Sequence, residues 1–278
     1  MKADILSLDG KKVKSVELPE QFDEEYRPDL IKRAVLSVQS RSRQKYGTKE
    51  GAGMRHAAKV SRRSRKYRGS YGKGISRVPR KVMSHRGSQF NWVGANVSGM
   101  VGGRRAHPPK AEKEWGQKIN IKERRKAIRS AIAATALKDV VVKRGHKAEH
   151  VPLVIESKFE DLKKTKEVED VLNSIGLGNE LERTKDKKVR AGKGKARGRK
   201  YKRKVGPLLV VSKKCSLSGS AINIEGVDTV VVDSLNAEVL APGTEPGRIT
   251  VWTEKALERL QKEKLFTGTK VAKEGKAK

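Results

Sequence analysis

The chain has 278 residues, and 65 Lys and Arg against 32 Asp and Glu give it a formal net charge of +33, a balance typical of proteins that bind nucleic acid. Its single cysteine, Cys215, excludes an internal disulfide framework and indicates a reducing compartment. No run of about 18 apolar residues and no signal-peptide pattern occurs, so we expect a cytoplasmic protein with no membrane partner.

The N-terminal segment predicts two strands and a helix. Apolar and polar residues alternate in Asp4–Leu8 and Val13–Leu18 on either side of an Asp-Gly pair, a pattern typical of two strands joined by a tight turn. Pro28 suits the first position of a helix, and apolar residues at helical spacing continue the pattern to about Ser40. We therefore assign 1–40, together with 111–266, to a globular body.

The segment 41–110, which we call the basic arm, has a different composition. It contains 19 Lys and Arg, 11 glycines and a single acid, Glu50, for a net charge of +18. No helical or strand periodicity persists long enough to bury a face. A loop of this length is uncommon inside a compact domain and is usually functional or disordered until a partner binds. Because phosphates can neutralise such a charge, we expect an extended arm that folds against RNA.

The body resumes after the arm. Asn120 and Glu123 have the spacing of a capping box, and apolar residues at helical spacing follow them. The arm is thus predicted to be an insertion between two helices. Leu153–Ile155 is a short apolar run that predicts a buried strand, and Val168–Ile175 predicts a helix that Gly176 ends.

A second basic run covers 183–206. It has 13 Lys and Arg and only Asp186 against them, a net charge of +12, so the two runs carry +30 of the +33. We predict a basic surface loop here. The remaining 184 residues are nearly neutral and can supply one core of ordinary domain size.

The last part of the body contains apolar runs that predict strands covered on both faces: Leu208–Val211, Thr229–Val232 and Ile249–Trp252. Thr253 can cap a final helix. Its inward-facing residues are predicted to be Ala256, Leu257 and Leu260. Residues 267–278 are rich in Lys, Gly and Ala and predict a flexible tail.

The order of elements predicts an α/β fold. Strands that alternate with helices indicate a three-layer domain with a largely parallel sheet. The long irregular basic arm is inserted between two helices of this domain.

Patterns for cofactor and metal chemistry fail on spacing. The glycines of 192–198 miss the dinucleotide fingerprint by one residue, and in 72–74 a glycine stands where a phosphate loop needs Ser or Thr. His146 and His150 could share a helical face, but the single cysteine and the lack of an adjacent acidic cluster argue against zinc. Cys215 has no motif around it and is interpreted as a structural thiol. We predict no catalytic residue, no metal site and no cofactor.

Three segments carry a resemblance to a known family. The run YGKGISRVPR at 71–80, the run GGRRAHPP at 102–109 and the helix after Asn120 occur in this order. Together they closely resemble large-subunit ribosomal protein four in its archaeal and eukaryotic branch, and the resemblance covers nearly the whole chain. The long carboxy-terminal extension of the eukaryotic members is missing, so we expect the archaeal form.

The resemblance implies a structural role in the large ribosomal subunit. In that family the body lies on the outside of the subunit, and the arm threads through ribosomal RNA to the wall of the polypeptide exit tunnel. The implied partners are large-subunit ribosomal RNA, neighbouring ribosomal proteins and the nascent polypeptide, and the implied location is the cytoplasm. Bacterial members have a shorter arm with a different tip sequence.

Cations of both basic runs are the candidates for RNA contact. Arginine offers a planar fork that holds phosphate bidentately or stacks on bases, whereas lysine acts as a point charge. The candidates for contact with ribosomal RNA are Arg41, Arg43, Lys45, Arg55, Lys59, Arg62, Arg63, Arg65, Lys66, Arg68, Arg86, Arg104, Arg105, Lys188, Arg190, Lys193, Lys195, Arg197, Arg199, Lys200, Lys202 and Arg203.

The tip of the arm is predicted from the midpoint of the insertion. Both ends are tied to helices of one body, so the residues around the midpoint, between 75 and 76, should lie farthest from it. The resemblance implies that this segment approaches the exit tunnel. The predicted tip residues are Tyr71, Gly72, Lys73, Gly74, Ile75, Ser76, Arg77, Val78, Pro79 and Arg80.

Isolated aromatic residues in the arm are candidates for stacking on unpaired bases. Each such stack contributes about 1–3 kcal/mol. The candidates are Tyr46, Tyr67, Tyr71, Phe90 and Trp92. For Phe90 and Trp92 the alternative is a small apolar contact, within the arm or with a neighbouring protein.

Three classes of function remain open on the residues alone. The first is a structural binder of ribosomal RNA. The second is a DNA-compacting or transcription-linked protein, which would need a helix or ribbon suited to a groove. The third is an α/β enzyme of RNA metabolism, which would need a polar catalytic constellation at the strand ends. We find neither feature and predict a protein that is not an enzyme.

Overall fold

The computed structural model describes residues 1–148 and 150–267. In this part of the chain the strands are β1 (Lys2–Leu6), β2 (Lys12–Glu17), β3 (Ala58–Lys59), β4 (Arg80–Arg86), β5 (Gln89–Gly94), β6 (Leu153–Ile155), β7 (Lys187–Val189), β8 (Tyr201–Arg203), β9 (Leu208–Val211), β10 (Asp228–Val231) and β11 (Thr250–Thr253). The α-helices are α1 (Pro28–Ser42), α2 (Ile121–Ala136), α3 (Lys138–Lys143), α4 (Thr165–Leu172), α5 (Gly178–Lys185), α6 (Leu217–Ser220), α7 (Ala237–Leu240) and α8 (Glu254–Lys262). The predicted tail, apart from Thr267, lies outside the described residues.

The described residues divide into two units. The body consists of Met1–Ser42 and the described residues from Gly116 onward. The inserted unit is Arg43–Trp115 and includes almost all of the basic arm.

The body is built on a six-stranded sheet in the order β10-β9-β11-β6-β1-β2. Neighbouring strands from β10 to β1 are parallel, and β2 pairs antiparallel with β1 at one edge. This arrangement confirms the predicted α/β fold with a largely parallel sheet.

Helices cover both faces of the sheet and produce two apolar clusters. One cluster contains residues of α1, α2, α7 and α8, and the other contains residues of α3, α4, α5 and α6. In β9, Leu208 and Val210 belong to the first cluster, whereas Leu209 and Val211 belong to the second. Successive side chains of a strand point to opposite faces. A strand buried on both faces is therefore apolar throughout, which explains why these runs were recognisable in the sequence.

The first two strands and α1 confirm the predicted elements. The connection between β1 and β2 includes Gly10 at φ +79°, where a Cβ would collide with the carbonyl oxygen of Ser174. Only glycine satisfies both conditions. Helix α1 begins at Pro28 and ends at Ser42, two residues beyond the predicted end.

Helix α2 is confirmed, but its predicted capping box is wrong. Asn120 is the N-cap residue, yet its side chain makes no capping hydrogen bond. The Glu123 carboxylate instead pairs with the guanidinium of Arg33 on α1 at 3.2 Å. The Glu123 carboxylate, which a capping box would place at the amide of the N-cap residue, thus forms an ion pair between α1 and α2.

The region after α4 contains more regular structure than the sequence predicted. Gly176, at φ +85°, interrupts the helical conformation after α4 as expected. Helix α5 then follows and buries Leu181 and Thr184. Beyond it, β7 and β8 form an antiparallel hairpin inside the run predicted as a surface loop. All residues of these two strands are exposed, so no apolar alternation marks them in the sequence.

The last strands and helix agree with the sequence within one residue. The Thr253 hydroxyl accepts a hydrogen bond from the Ala256 amide at 3.3 Å and caps α8. The Trp252 ring is fully buried and contacts Phe22 edge-on, with the ring centroids 5.3 Å apart.

The inserted unit contains a sheet that the sequence analysis did not assign. Strands β3, β4 and β5 are antiparallel, and Gly87, at φ +56°, lies in the two-residue turn between β4 and β5. The register shifts between Val82 and Ser84. Ala95 alone among the hydrophobic residues of this unit is buried. The hairpin lacks a buried face, and this explains why the sequence shows no strand periodicity.

Candidate nucleic-acid interface

The inserted unit carries a positive charge that its own acids do not neutralise. Residues 43–115 contain 19 Lys and Arg against Glu50, Glu112 and Glu114. Within this unit, which the structure describes throughout, no Lys or Arg forms an ion pair with a carboxylate. The guanidinium and ammonium groups therefore remain available to an anionic partner.

The two ends of the inserted unit approach each other. The Thr48 amide donates to the Pro109 carbonyl at 3.1 Å. A Cβ on Gly53, which has φ +76°, would lie 2.5 Å from the amide nitrogen of Arg104. The glycine permits this close approach of two backbone segments, and Arg104 and Arg105 are exposed beside it.

The predicted tip, 71–80, is a loop that folds back on its own unit. The Lys73 ammonium donates to the Tyr67 carbonyl at 2.8 Å, and the Arg80 guanidinium donates to the Ser76 carbonyl at 3.0 Å. Two glycines in the loop, Gly72 and Gly74, have positive φ. Most of the loop is exposed, while residues 75, 78, 79 and 80 are half-buried.

Phe90 and Trp92 pack on each other within the inserted unit. Their ring centroids are 4.9 Å apart and their planes differ by 24°. The Tyr67 ring lies 5.8 Å from Phe90, and Lys73 lies over both Phe90 and Trp92. These contacts correspond to the alternative of an apolar cluster inside the arm. Tyr71 stands apart, with the Arg77 guanidinium 5.3 Å from its ring centroid.

A second aromatic pair joins Tyr46 to Trp115. The two rings are nearly parallel, at 8°, with centroids 5.4 Å apart. The Arg43 guanidinium lies 4.1 Å and the Lys113 ammonium 4.6 Å from the Trp115 ring. Trp115 was not among the stacking candidates predicted from the sequence, because it lies beyond the predicted end of the arm at 110. A tryptophan close to lysines is the signal that could have identified it.

The hairpin of β7 and β8 presents like charges across its ladder. Lys187 is opposite Arg203, and Lys188 is opposite Lys202. Like charges directly opposite in a sheet are destabilising. The hairpin therefore gains stability from any anion that binds along it.

The predicted phosphate-contact residues are accessible. All of them are exposed except Arg190, which is half-buried. The Arg190 guanidinium donates to the Arg199 carbonyl at 3.0 Å and to the Tyr201 carbonyl at 3.3 Å, across the loop between β7 and β8. These hydrogen bonds of Arg190 connect the two ends of the loop and brace it.

The first residue of the second basic run belongs to a buried ionic cluster. Glu180 accepts hydrogen bonds from His146 Nδ1 at 2.6 Å and from Arg183 Nε at 2.8 Å. Burial alone would raise the pKa of the Glu180 carboxyl, but these hydrogen bonds lower it to about 2. Burial lowers the pKa of the His146 imidazole. His150 lies in a different cleft, and the described residues contain no cluster of three or more His, Cys, Asp or Glu suited to a metal ion.

A polar cluster lies at the carboxyl ends of the parallel strands, where an enzyme would place its catalytic groups. The Glu160 carboxylate accepts from the Ser212 amide at 2.8 Å, the Ser212 hydroxyl at 2.7 Å and the Thr253 hydroxyl at 2.6 Å. All three residues are buried. This cluster was not predicted from the sequence, and its mutual hydrogen bonds indicate that it connects the strand ends.

Cys215 is half-buried and packs against the second apolar cluster. No helix in the described part of the chain is long and apolar enough to cross a membrane.

Comparison with known proteins gives matches over almost the full length. The family model for the ribosomal protein L4/L1 family matches residues 16–263. Large ribosomal subunit protein uL4 of Nanoarchaeum equitans is 48% identical over 268 residues, covering 96% of this chain and 100% of that protein. The protein of the same name from Archaeoglobus fulgidus is 47% identical over 262 residues, 94% of this chain and 98% of that protein. The Methanocaldococcus jannaschii protein is 45% identical over 269 residues, with the same two shares.

Proposed function

This chain belongs to the ribosomal protein L4/L1 family, and we propose that it binds large-subunit ribosomal RNA through its inserted unit and its basic hairpin. Its relatives are archaeal proteins of the large ribosomal subunit, so its role is structural rather than catalytic and its place is the cytoplasmic ribosome. Neighbouring ribosomal proteins are its other partners.

One observation carries the proposal: the cations of Arg43–Trp115 lack carboxylate partners. Nineteen Lys and Arg occupy a unit with three acids and no ion pair. Binding to RNA phosphates releases condensed counterions and needs no packed core in the protein. The same binding removes the mutual repulsion of the cations. The bound unit then holds RNA segments together and in this way supports subunit assembly.

The contacts differ between the two basic surfaces. In the inserted unit, exposed arginines such as Arg62, Arg63 and Arg65 can hold phosphates bidentately. Tyr71 is exposed and, unlike the other stacking candidates, has no aromatic partner within the unit, so its ring can stack on an RNA base. In the hairpin, the loop that Arg190 braces presents Lys193, Lys195 and their neighbours as point charges along the RNA backbone.

We further propose that residues 71–80 form part of the wall of the polypeptide exit tunnel and contact the nascent polypeptide. The loop is largely exposed, and Gly72 and Gly74 supply the positive φ values that a compact turn requires. Arg77 can hold the loop on RNA while its neighbours face the peptide.

Co-sedimentation tests the ribosomal role. After a wash in high salt, the chain should remain with large ribosomal subunits, because many phosphate contacts must break together. A chain that washes off and sediments with DNA, or stays free, would contradict the proposal.

A small deletion tests the tunnel contact separately. Removing Gly72–Gly74 spares strands β4 and β5, so assembly should persist while nascent-chain stalling or sensitivity to tunnel-binding drugs changes. Lys193→Gln, an exposed cation of the hairpin, is the matched control and should change neither tunnel property. If the deletion abolishes RNA binding by the isolated chain, the loop is an anchor and not a tunnel element.

A further inference from the structure

An open cleft of about 450 Å³ lies at the base of the basic hairpin. Its cations come from three parts of the body, and the acids Asp186 and Glu245 are the carboxylates that line it. The Asp186 carboxylate is already within 3.5 Å of the Lys204 ammonium. The lining cations are Arg144, Arg183, Lys188, Lys202, Arg203 and Lys204.

Two residues that line this cleft each have a buried nitrogen without a hydrogen-bond partner. The two nitrogens are Nη1 of Arg144 and Nε2 of His146. The His146 side chain is only 2% exposed. Buried polar groups are nearly always hydrogen-bonded, and an unpaired one destabilises the fold. Two such nitrogens beside one basic cleft indicate a site that a ligand completes.

The hydrogen bonds of His146 fix what its free nitrogen can do. Nδ1 of His146 lies 2.6 Å from Oε1 of Glu180 and 3.2 Å from Nη2 of Arg183. Ionised Glu180 only accepts hydrogen bonds, so the shorter contact requires that Nδ1 carries the hydrogen. In the neutral ring Nε2 is then an acceptor, and protonation converts it into a charged donor. An anion in the cleft favours that protonated form.

The charged groups around His146 act in opposite directions. Glu180 favours the imidazolium, whereas Arg183 on α5 and Arg144 beyond α3 oppose it. Across the cleft, the cations of β7 and β8 oppose it as well, and Asp186 and Glu245 favour it. Burial is the largest influence and lowers the pKa of His146. Without a bound anion, burial and the neighbouring guanidinium groups therefore favour the neutral ring.

We propose that this cleft binds one phosphate group, with Arg144 and His146 as its inner hydrogen-bond donors and the hairpin cations at its rim. The proposal rests on the RNA-binding function above, because the RNA backbone is the phosphate source that a ribosomal protein meets. The two inner nitrogens are covered in the free chain. Binding thus includes a side-chain movement that uncovers them.

Histidine titration in the full-length chain tests the site. The chain is labelled with ¹⁵N-histidine, the His146 signal is assigned with His146→Gln, and its imidazole pKa is measured by NMR. Three samples are compared at equal ionic strength: chloride alone, inorganic phosphate, and a large-subunit ribosomal RNA fragment. A phosphate in the cleft should raise the pKa of His146 by about one unit or more. A rise with RNA alone assigns the site to the RNA backbone, and a rise with inorganic phosphate as well assigns it to phosphate in general.

Two variants provide the controls. Arg144→Gln should abolish the rise, whereas Lys163→Gln, an exposed lysine outside both basic runs and outside the cleft lining, should keep it. RNA retention on a filter is recorded in parallel. If RNA is retained but neither RNA nor phosphate raises the pKa of His146, the site is refuted while the RNA-binding function stands. If RNA is not retained but phosphate raises the pKa, the site stands and the RNA-binding function fails. The titration of the unmodified chain decides the matter even if Arg144→Gln does not fold.

Discussion

Trp252 shows how a single residue supports the body. Its side chain is fully buried in β11 and contacts Phe22 edge-on. Trp252→Ala should lower the free energy of unfolding by about 3–5 kcal/mol, because it removes this contact and leaves a cavity. Denaturant unfolding measures the change. Trp92→Ala, in the inserted unit, is the matched control and should leave the stability of the body nearly unchanged. Equal losses in both variants would contradict this account of the core.

Glu180 makes stability depend on pH. Its pKa in the folded chain is about 2, below the usual value of 4.5. A carboxyl with a depressed pKa stabilises the fold above its unfolded pKa, and the stabilisation is lost as the pH falls toward the folded pKa. Burial lowers the pKa of His146 from its usual value of 6.5. The free energy of unfolding therefore begins to fall as the pH drops below 6.5, because the unfolded imidazole then binds a proton more readily than the folded one.

The free energy of unfolding should therefore fall between pH 4.5 and pH 2 more steeply in the unmodified chain than in Glu180→Gln. At neutral pH this variant should be the less stable one, because Arg183 loses its charged partner. Glu182→Gln, an exposed neighbour, should keep the original pH profile. Parallel profiles for all three proteins would show that Glu180 is not held ionised by its neighbours.

For individual residues, the sequence predicted only contacts between residues that are close together in the chain. The cap formed by Thr253 was predictable because its partner, Ala256, is three residues away. The pair of His146 and Glu180 was not, because 34 residues separate them and only the fold brings them together. In the sequence, His146 was considered only together with His150, as a possible zinc pair that the spacing and composition argued against.

Among the elements, the inserted unit has hydrogen-bonded strands but almost no core. Ala95 is its single buried hydrophobic residue. Local stability follows buried apolar contacts, and segments without them open readily. In the free protein, amides in Arg43–Trp115 should exchange with solvent faster than those of α2, in which every residue of 127–135 except Arg129 is buried. Hydrogen exchange with mass spectrometry measures both segments at once. Equal protection would mean that the unit is stable without RNA.

The hairpin of β7 and β8 should set part of the salt dependence of RNA binding. Each phosphate contact contributes about one unit to the slope of log affinity against log salt. The double variant Lys193→Gln and Lys195→Gln should lower that slope by about two units. Neutralising Lys163 and Lys166, exposed lysines outside the basic runs, is the matched control and should change it less. An unchanged slope in the hairpin variant would show that the run is only a solvated surface.

Elements were predictable where burial imposed a period on the sequence. Strand β9 and helix α8 were assigned from apolar patterns, because the sheet and its covering helices select those residues. Strands β4, β5, β7 and β8 were missed for the opposite reason. Most of their side chains are exposed, and backbone pairing alone leaves no apolar pattern in exposed residues.

In the whole molecule, the apolar core and most of the positive charge lie in different parts of the chain. The body folds around two apolar clusters and is nearly neutral outside its basic run, whereas the inserted unit and the hairpin carry most of the charge. Composition alone indicated this division, because charge and apolar content change together along the chain. The site in the base of the hairpin was not predictable, because it depends on residues of α5, the loop after α3 and two strands that meet only in the fold.

A density map of the assembled large ribosomal subunit tests the central claim most directly. We expect the cations of Arg43–Trp115 and of the β7–β8 hairpin within hydrogen-bonding distance of ribosomal RNA phosphates, with residues 71–80 at the wall of the exit tunnel. A map in which the chain is present but its inserted unit and hairpin face solvent, away from RNA, would contradict the account.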